Sequence, residues 1–164
     1  MRNKFKILWI IALVAIIGFG FTACSSDDGG GDSYSNSFTF GGESIDIGYA
    51  VFWFSEGEGY HFDLYTSDAC DTSANFIWID IPIEQMGKTI DLSKDVNPYN
   101  WCWVIDFTDG DGNHWGDYYP ESGNITGTMR VSRKGSTNKF TIKVDATIDG
   151  ESFKISYSGK FIED

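Results

Sequence analysis

TGTMRVSR (Thr126–Arg133), KFTIKVDATI (Lys139–Ile148) and SFKISYSGKFI (Ser152–Ile162) are three successive runs in which apolar and polar side chains alternate. Lys134-Gly135-Ser136-Thr137-Asn138 separates the first two, and Asp149-Gly150 separates the second from the third. A period of two is the signature of a strand with one buried face. Asp-Gly supplies the positive φ that a two-residue hairpin needs, and a glycine-containing five-residue loop closes a wider one. The three runs therefore predict an antiparallel meander. Upstream the same period continues through Ser37–Gly41 and Ser44–Gly48 around Gly41-Gly42-Glu43, then Tyr49–Ser55 and Tyr60–Thr66 across Glu56-Gly57-Glu58-Gly59. Asn75–Ile83, Thr89–Leu92 and Trp101–Thr108 complete the candidates. Helical periodicity is absent, and parallel pairing would need crossovers of a dozen or more residues, so every pairing is expected to be antiparallel. With 164 residues, 19 glycines and three prolines, the chain reads as one all-β domain over residues 37–164, with little or no helix. The expected architecture is a single antiparallel sandwich or barrel ending in the meander.

Several of these strands are apolar on both faces. Ile77, Ile79, Ile81 and Ile83 oppose Phe76, Trp78 and Asp80, while Trp101, Trp103, Ile105 and Phe107 oppose Cys102, Val104 and Asp106. Val51 with Trp53, and Phe52 with Phe54, repeat the pattern. An antiparallel strand with one wet face is polar on that face, so the second apolar face is covered by another layer of protein or by a ligand. Core packing is the default fate of large aromatics. The functional alternative is a sugar platform, because flat rings stack on pyranose faces and a neighbouring carboxylate binds hydroxyls. Trp78 with Asp80, and Trp115 with Tyr118 and Tyr119, have that chemistry, the second group among residues expected to form a loop.

At the N-terminus, Arg2, Lys4 and Lys6 precede an uncharged apolar run from Ile7 to Phe21 and then Thr22-Ala23-Cys24, the layout of a secretory signal over residues 1–23. A cysteine directly after a small residue at the end of such a run resembles a bacterial lipobox, although Phe21 stands where those motifs usually carry Leu. The resemblance implies cleavage before Cys24 and lipidation of its thiol; the alternative is an uncleaved membrane anchor, for which Ile7–Ala23 is short. Several acyl chains hold a protein at a bilayer where one is marginal. Residues 24–36 then form a polar, glycine-rich tether. Its acidic start at Ser25-Ser26-Asp27-Asp28 resembles the export signal of surface lipoproteins of Bacteroidetes-type bacteria, which implies an outer-membrane address at the cell surface.

The chain carries 12 basic and 24 acidic residues, a formal charge of −12 that becomes −15 once residues 1–23 and their three cations are removed. From Ser25 to Glu121 only Lys88 and Lys94 face 19 acids, whereas Ser122–Asp164 holds seven basic and five acidic residues. This balance excludes nucleic acid as a partner. With Cys24 lipidated, Cys70 and Cys102 remain. An oxidising compartment permits a bridge between them worth about 3 kcal/mol, and a small buried free thiol is the alternative.

Asp109, Asp111 and Asn113 alternate in Asp109-Gly110-Asp111-Gly112-Asn113-His114, with Asp117 beyond, and oxygen ligands at that spacing suit calcium. His114 at the sixth position and Pro120 at the twelfth exclude an EF-hand, leaving a looser calcium loop or a plain hairpin connection as the two readings. No further cofactor is expected. His61 and His114 are the only histidines, with His61 and Asp63 on one strand face, and no nucleophile elbow, phosphate loop or dinucleotide fingerprint accompanies them. Acid pairs such as Glu56 and Glu58 arise by chance in so acidic a chain, and no enzyme is expected.

The tether, together with Gly127-Thr128-Met129-Arg130-Val131 through Tyr157-Ser158-Gly159-Lys160-Phe161, resembles the small lipocalin-like or calycin-like lipoproteins of Bacteroidetes. The resemblance implies an antiparallel sandwich or calycin-like barrel anchored to the outer membrane, and it brings no catalytic residues. The expected function is non-enzymatic binding of a glycan or another extracellular ligand. The alternatives are a structural or adhesive protein that engages surface proteins, and a hollow barrel holding a small lipophilic ligand.

Overall fold

The computed structural model describes residues 34–66, 76–94, 104–108, 112–118 and 124–164. The strands run in the order β1 (Ser37–Phe40), β2 (Glu43–Asp46), β3 (Tyr49–Ser55), β4 (Gly59–Tyr65), β5 (Phe76–Pro82), β6 (Thr89–Asp91), β7 (Val104–Thr108), β8 (His114–Tyr118), β9 (Ile125–Arg133), β10 (Lys139–Ile148), β11 (Glu151–Lys160) and β12 (Ile162–Glu163). One short 3-10 turn, Ile83–Gln85, follows β5. Among the described residues no helix is long and apolar enough to cross a membrane. The strands form two six-stranded sheets, β2-β1-β11-β10-β9-β6 and β12-β3-β4-β5-β7-β8. They face each other as a sandwich and do not close into a barrel. We call them the meander sheet and the aromatic sheet.

The meander forms as its sequence demands. Ile148 pairs with Glu151 across Asp149 (φ 50°) and Gly150 (φ 90°), the two positive-φ positions of a tight hairpin. Inward positions of β9, β10 and β11 bury Met129, Val131, Phe140, Ile142, Val144, Phe153 and Ile155. From the aromatic sheet, Phe52, Phe62, Leu64, Ile77, Ile79, Ile81, Ile105 and Phe107 meet them. Phe62 sits at the centre, its ring 5.1 Å from that of Phe140 and 5.4 Å from that of Phe161. A core filled by phenylalanine rings leaves the hollow-barrel alternative without a container.

Three expectations need correction. The run Ser152–Ile162 is two strands: β11 ends at Lys160, and fully buried Phe161, whose N–H donates to the Asn138 carbonyl at 2.8 Å, carries the chain across the sandwich. Beyond it β12 pairs with β3 in parallel, Ile162 opposite Val51 and Glu163 opposite Phe52. A strand that changes sheets needs no crossover to find a parallel neighbour, because it arrives in whichever direction it is already running. Ile83 leaves the isoleucine row for the 3-10 turn, where it is exposed. Finally, His114–Tyr118 is a strand rather than a loop, paired with β7 through an irregular register between Ile105 and Phe107. The His114 ring and the Asp106 carboxylate approach the backbone of Gly116 too closely for a side chain there.

Candidate functional site

The outward faces of the two sheets differ in kind. On the meander sheet, exposed positions carry Thr126, Thr128, Thr147 and Ser152, the cations Arg130, Lys139, Lys143, Lys154 and Lys160, and the acids Glu43, Asp46, Asp145 and Glu151. The six strands of the aromatic sheet contain no lysine or arginine. Its outward positions carry Tyr49, Val51 and Trp53 on β3, His61, Asp63 and Tyr65 on β4, Phe76, Trp78 and Asp80 on β5, and Asp106 on β7.

Register assembles these residues into rows. Val51 lies opposite Asp63, Asp63 opposite Trp78, and Trp78 opposite Asp106; alongside, Trp53 lies opposite His61 and His61 opposite Asp80. The Trp53 ring stacks on the His61 imidazole, centroids 4.9 Å apart and planes 7° from parallel. Asp80 Oδ1 accepts from His61 Nδ1 at 2.7 Å and from Trp78 Nε1 at 2.6 Å. Tyr65 donates its hydroxyl to Asp63 Oδ2 at 3.2 Å, and its ring packs against Tyr49 and Phe76. His114 Nε2 donates to Asp106 Oδ1 at 2.8 Å. A cleft of about 140 Å³ opens on this face between Tyr49, Val51, Asp63, Tyr65, Ile162 and Asp164.

Burial pushes Asp63 up to about 6, with Asp80 and Asp164 adding to the rise against the opposing Tyr65 hydrogen bond and the His61 charge. Burial also raises Asp80, against the pull of His61 and Trp78. Asp63 Oδ1 is buried and makes no hydrogen bond among the described residues.

An acid whose folded pKa is raised holds its proton in the native state where the unfolded chain has lost it. The corresponding stability is complete below about pH 4 and is lost as pH rises through 6. The two-unit shift sets an upper bound of about 2.7 kcal/mol, and partial solvent screening brings this to about 1 kcal/mol. Asp63→Asn is therefore expected to stabilise the protein by about 1 kcal/mol at pH 8 and by much less at pH 4. Urea unfolding of both proteins from pH 4 to pH 8 checks this; a stability difference that does not change with pH contradicts it.

Of the residues singled out from the sequence, Trp78 and Asp80 lie on this face and are hydrogen-bonded to each other. Trp115 and Tyr118 lie on the inward side of β8. The Trp115 ring is half-buried, 4.8 Å from Phe40 and stacked over Phe107, and Tyr118 is 6% exposed with its hydroxyl donating to Asp149 Oδ2 at 2.6 Å. Burial and the Asp149 carboxylate raise the Tyr118 phenol. These two rings anchor β8 to the core and to the meander hairpin. Tyr119, Cys24, Cys70, Cys102, Asp109 and Asp111 lie outside the described residues, as does the side chain of Asp117. Asn113 is exposed, and no group of three or more histidine, cysteine or acidic side chains suited to a metal ion occurs among the described residues.

Trp53, Tyr49 and Asp63 complete the aromatic face and were not singled out as site residues in the sequence. The available signal was the two-sided apolar character of Tyr49–Ser55, together with the placing of His61 and Asp63 on one strand face. Comparison of this chain with family models, with curated proteins and with solved structures finds no match.

Proposed function

We propose that the protein is a lipid-anchored, non-enzymatic glycan-binding module of the bacterial outer membrane, with the outward face of the aromatic sheet as its binding platform. The observation that carries this reading is the contrast between faces. The meander sheet turns threonine, serine, lysine and acids outward, with no outward aromatic ring on β9, β10 or β11, whereas the other sheet turns Tyr49, Trp53 and Trp78 outward around carboxylates. Half-buried rings beside hydrogen-bonding acids offer both interactions a sugar needs, an apolar face for its C–H groups and acceptors for its hydroxyls. A binding role also fits His61, which lies beneath Trp53 with its Nδ1 held by Asp80, poorly placed to reach a substrate. The anchor rests on Thr22-Ala23-Cys24 and on the tether that follows.

The test is tryptophan fluorescence of the full chain in detergent micelles, with iodide quenching, titrated with a panel of soluble polysaccharides. One glycan class is expected to protect tryptophans from iodide, and Trp53→Ala and Trp78→Ala are each expected to weaken its affinity at least about tenfold, as loss of a stacked ring does. A panel without effect, or binding that survives both substitutions, refutes the platform. In the same cells, palmitate labelling that persists in Cys24→Ala would refute the anchor.

A further inference from the structure

We infer that the buried His61–Asp80 pair is the positioning element of the platform: it ties the Trp53 and Trp78 rings into one unit, so that an oligosaccharide is received by both rings together. The inference rests on the glycan reading above and gives a role in it to two buried residues that hold the rings.

Trp53, His61 and Asp80 occupy one register row across β3, β4 and β5, and Trp78 stands two residues before Asp80 on β5. The two tryptophans therefore belong to strands two spacings apart, about 10 Å in the backbone. Their rings converge on the pair that lies between them. Trp53 stacks on the His61 imidazole with centroids 4.9 Å apart. Nδ1 of that imidazole donates to Asp80 Oδ1 at 2.7 Å, and Trp78 Nε1 donates to the same oxygen at 2.6 Å. One carboxylate oxygen thus fixes the edge of the Trp78 indole directly and the plane under Trp53 through His61.

A sheet face that needed only cover has simpler means of obtaining it, as buried Val51 on β3 shows. His61 and Asp80 are 7% and 6% exposed. Burial pushes the Asp80 carboxyl up against the charge and hydrogen bond of His61 and the hydrogen bond of Trp78, and Glu58, 3.8 Å from His61 Nε2, adds to the rise. Taking a carboxylate out of water is costly even when it is paired, and apolar side chains of the same volume escape that penalty. The polar pair supplies direction. Packing alone leaves an indole free to pivot in its own plane, whereas a hydrogen bond to Nε1 holds one edge in place. Half-buried rings that are fixed before a ligand arrives lose less rotamer freedom when it binds, a gain of about 2- to 12-fold in affinity for each ring.

The experiment is indole N–H NMR of the full chain in detergent micelles, with each tryptophan assigned by its own substitution to phenylalanine. Without ligand, Asp80→Ala is expected to lower the heteronuclear NOE of Trp78, its hydrogen-bond partner, and also that of Trp53, which is linked to it through His61. Asp80→Asn keeps an acceptor oxygen and is expected to leave both rings as rigid as in the wild type. Should Asp80→Ala fail to fold, the double variant His61→Phe with Asp80→Leu replaces both partners by apolar groups and is expected to lower both values in a folded protein. A Trp53 NOE indifferent to these changes overturns the positioning role, as does an effect of Asp80→Asn equal to that of Asp80→Ala. The polysaccharide panel is then applied to the same variants, with xyloglucan, galactomannan and glycogen as neutral probes for a sheet without lysine or arginine. Affinity for the polysaccharide that protects the tryptophans is expected to fall about tenfold in Asp80→Ala and to return in Asp80→Asn. Unchanged affinity overturns the positioning role and leaves the platform standing. Rings that are coupled in the NOE but protected by no member of the panel refute the glycan reading and, with it, the role of the pair in binding.

Discussion

Phe62→Ala is expected to destabilise the domain by about 4 kcal/mol, enough to lower its melting temperature by more than 10 °C. Phe62 is fully buried, and its ring lies within 6.5 Å of four others, those of Phe52, Tyr60, Phe140 and Phe161. Two of these partners belong to the aromatic sheet, Phe140 belongs to the meander, and Phe161 is the residue at which the chain changes sheets. Truncation removes the transfer energy of a benzyl group and leaves a cavity that neither sheet can close without shifting strands. Phe54→Ala is the control, since Phe54 is 47% exposed on β3 and its loss is expected to cost about 0.5 kcal/mol or less. Chemical unfolding monitored by circular dichroism compares the two; similar midpoints would mean that Phe62 is not the keystone of the core.

Gly127→Ala is expected to cost about 3 kcal/mol, although it adds a single methyl group to an irregular point on a surface strand. Gly127 has φ +123°, a region that side chains avoid, and a Cβ there would lie 2.6 Å from the Ala146 Cα on β10 and closer still to the Asp145 carbonyl. Both obstacles are backbone, so no rotamer change relieves them, and the strand pair has to separate. The Gly127 carbonyl also accepts from the Leu92 N–H at 2.9 Å, so displacement of β9 loosens the end of β6. Gly135→Ala, in a hairpin loop with open space around its Cα, isolates the backbone term, because φ +60° is strained there without a clash. A melting temperature for Gly127→Ala no lower than that of Gly135→Ala would show that β9 and β10 separate at little cost.

The meander was legible because every residue of β10 obeys one rule, inward apolar and outward polar, and its last turn carries Asp149-Gly150. Less of the candidate site was legible. Trp78 and Asp80 stand two residues apart on one strand, so their shared face follows from the strand period alone. That Trp53 covers His61, or that Asp63 lies between Val51 and Trp78, depends on register between strands, which no local pattern specifies. Strand β8 carries no strand signature, because His114-Trp115-Gly116-Asp117-Tyr118 breaks the alternation at Gly116 and meets β7 through an irregular register. The aromatics there look like loop residues until Trp115 is seen packed on Phe40 and Tyr118 tied to Asp149. At β12, the local pattern ran unbroken through Phe161 and gave no sign that the chain was leaving one sheet for the other.

The meander sheet carries Arg130, Arg133, Lys139, Lys143, Lys154 and Lys160 among acids such as Asp145 and Glu151, whereas the strands of the aromatic sheet carry carboxylates and no lysine or arginine, and this imbalance gives the domain an electric dipole moment along the sandwich normal. Such a body experiences a torque near a charged surface. Within the roughly 8 Å Debye length of physiological salt, an anionic bilayer or polysaccharide layer turns the meander sheet towards itself and the aromatic sheet away. The orientation of the aromatic sheet beside such a surface then follows from charge alone, and it relaxes towards random as salt is raised.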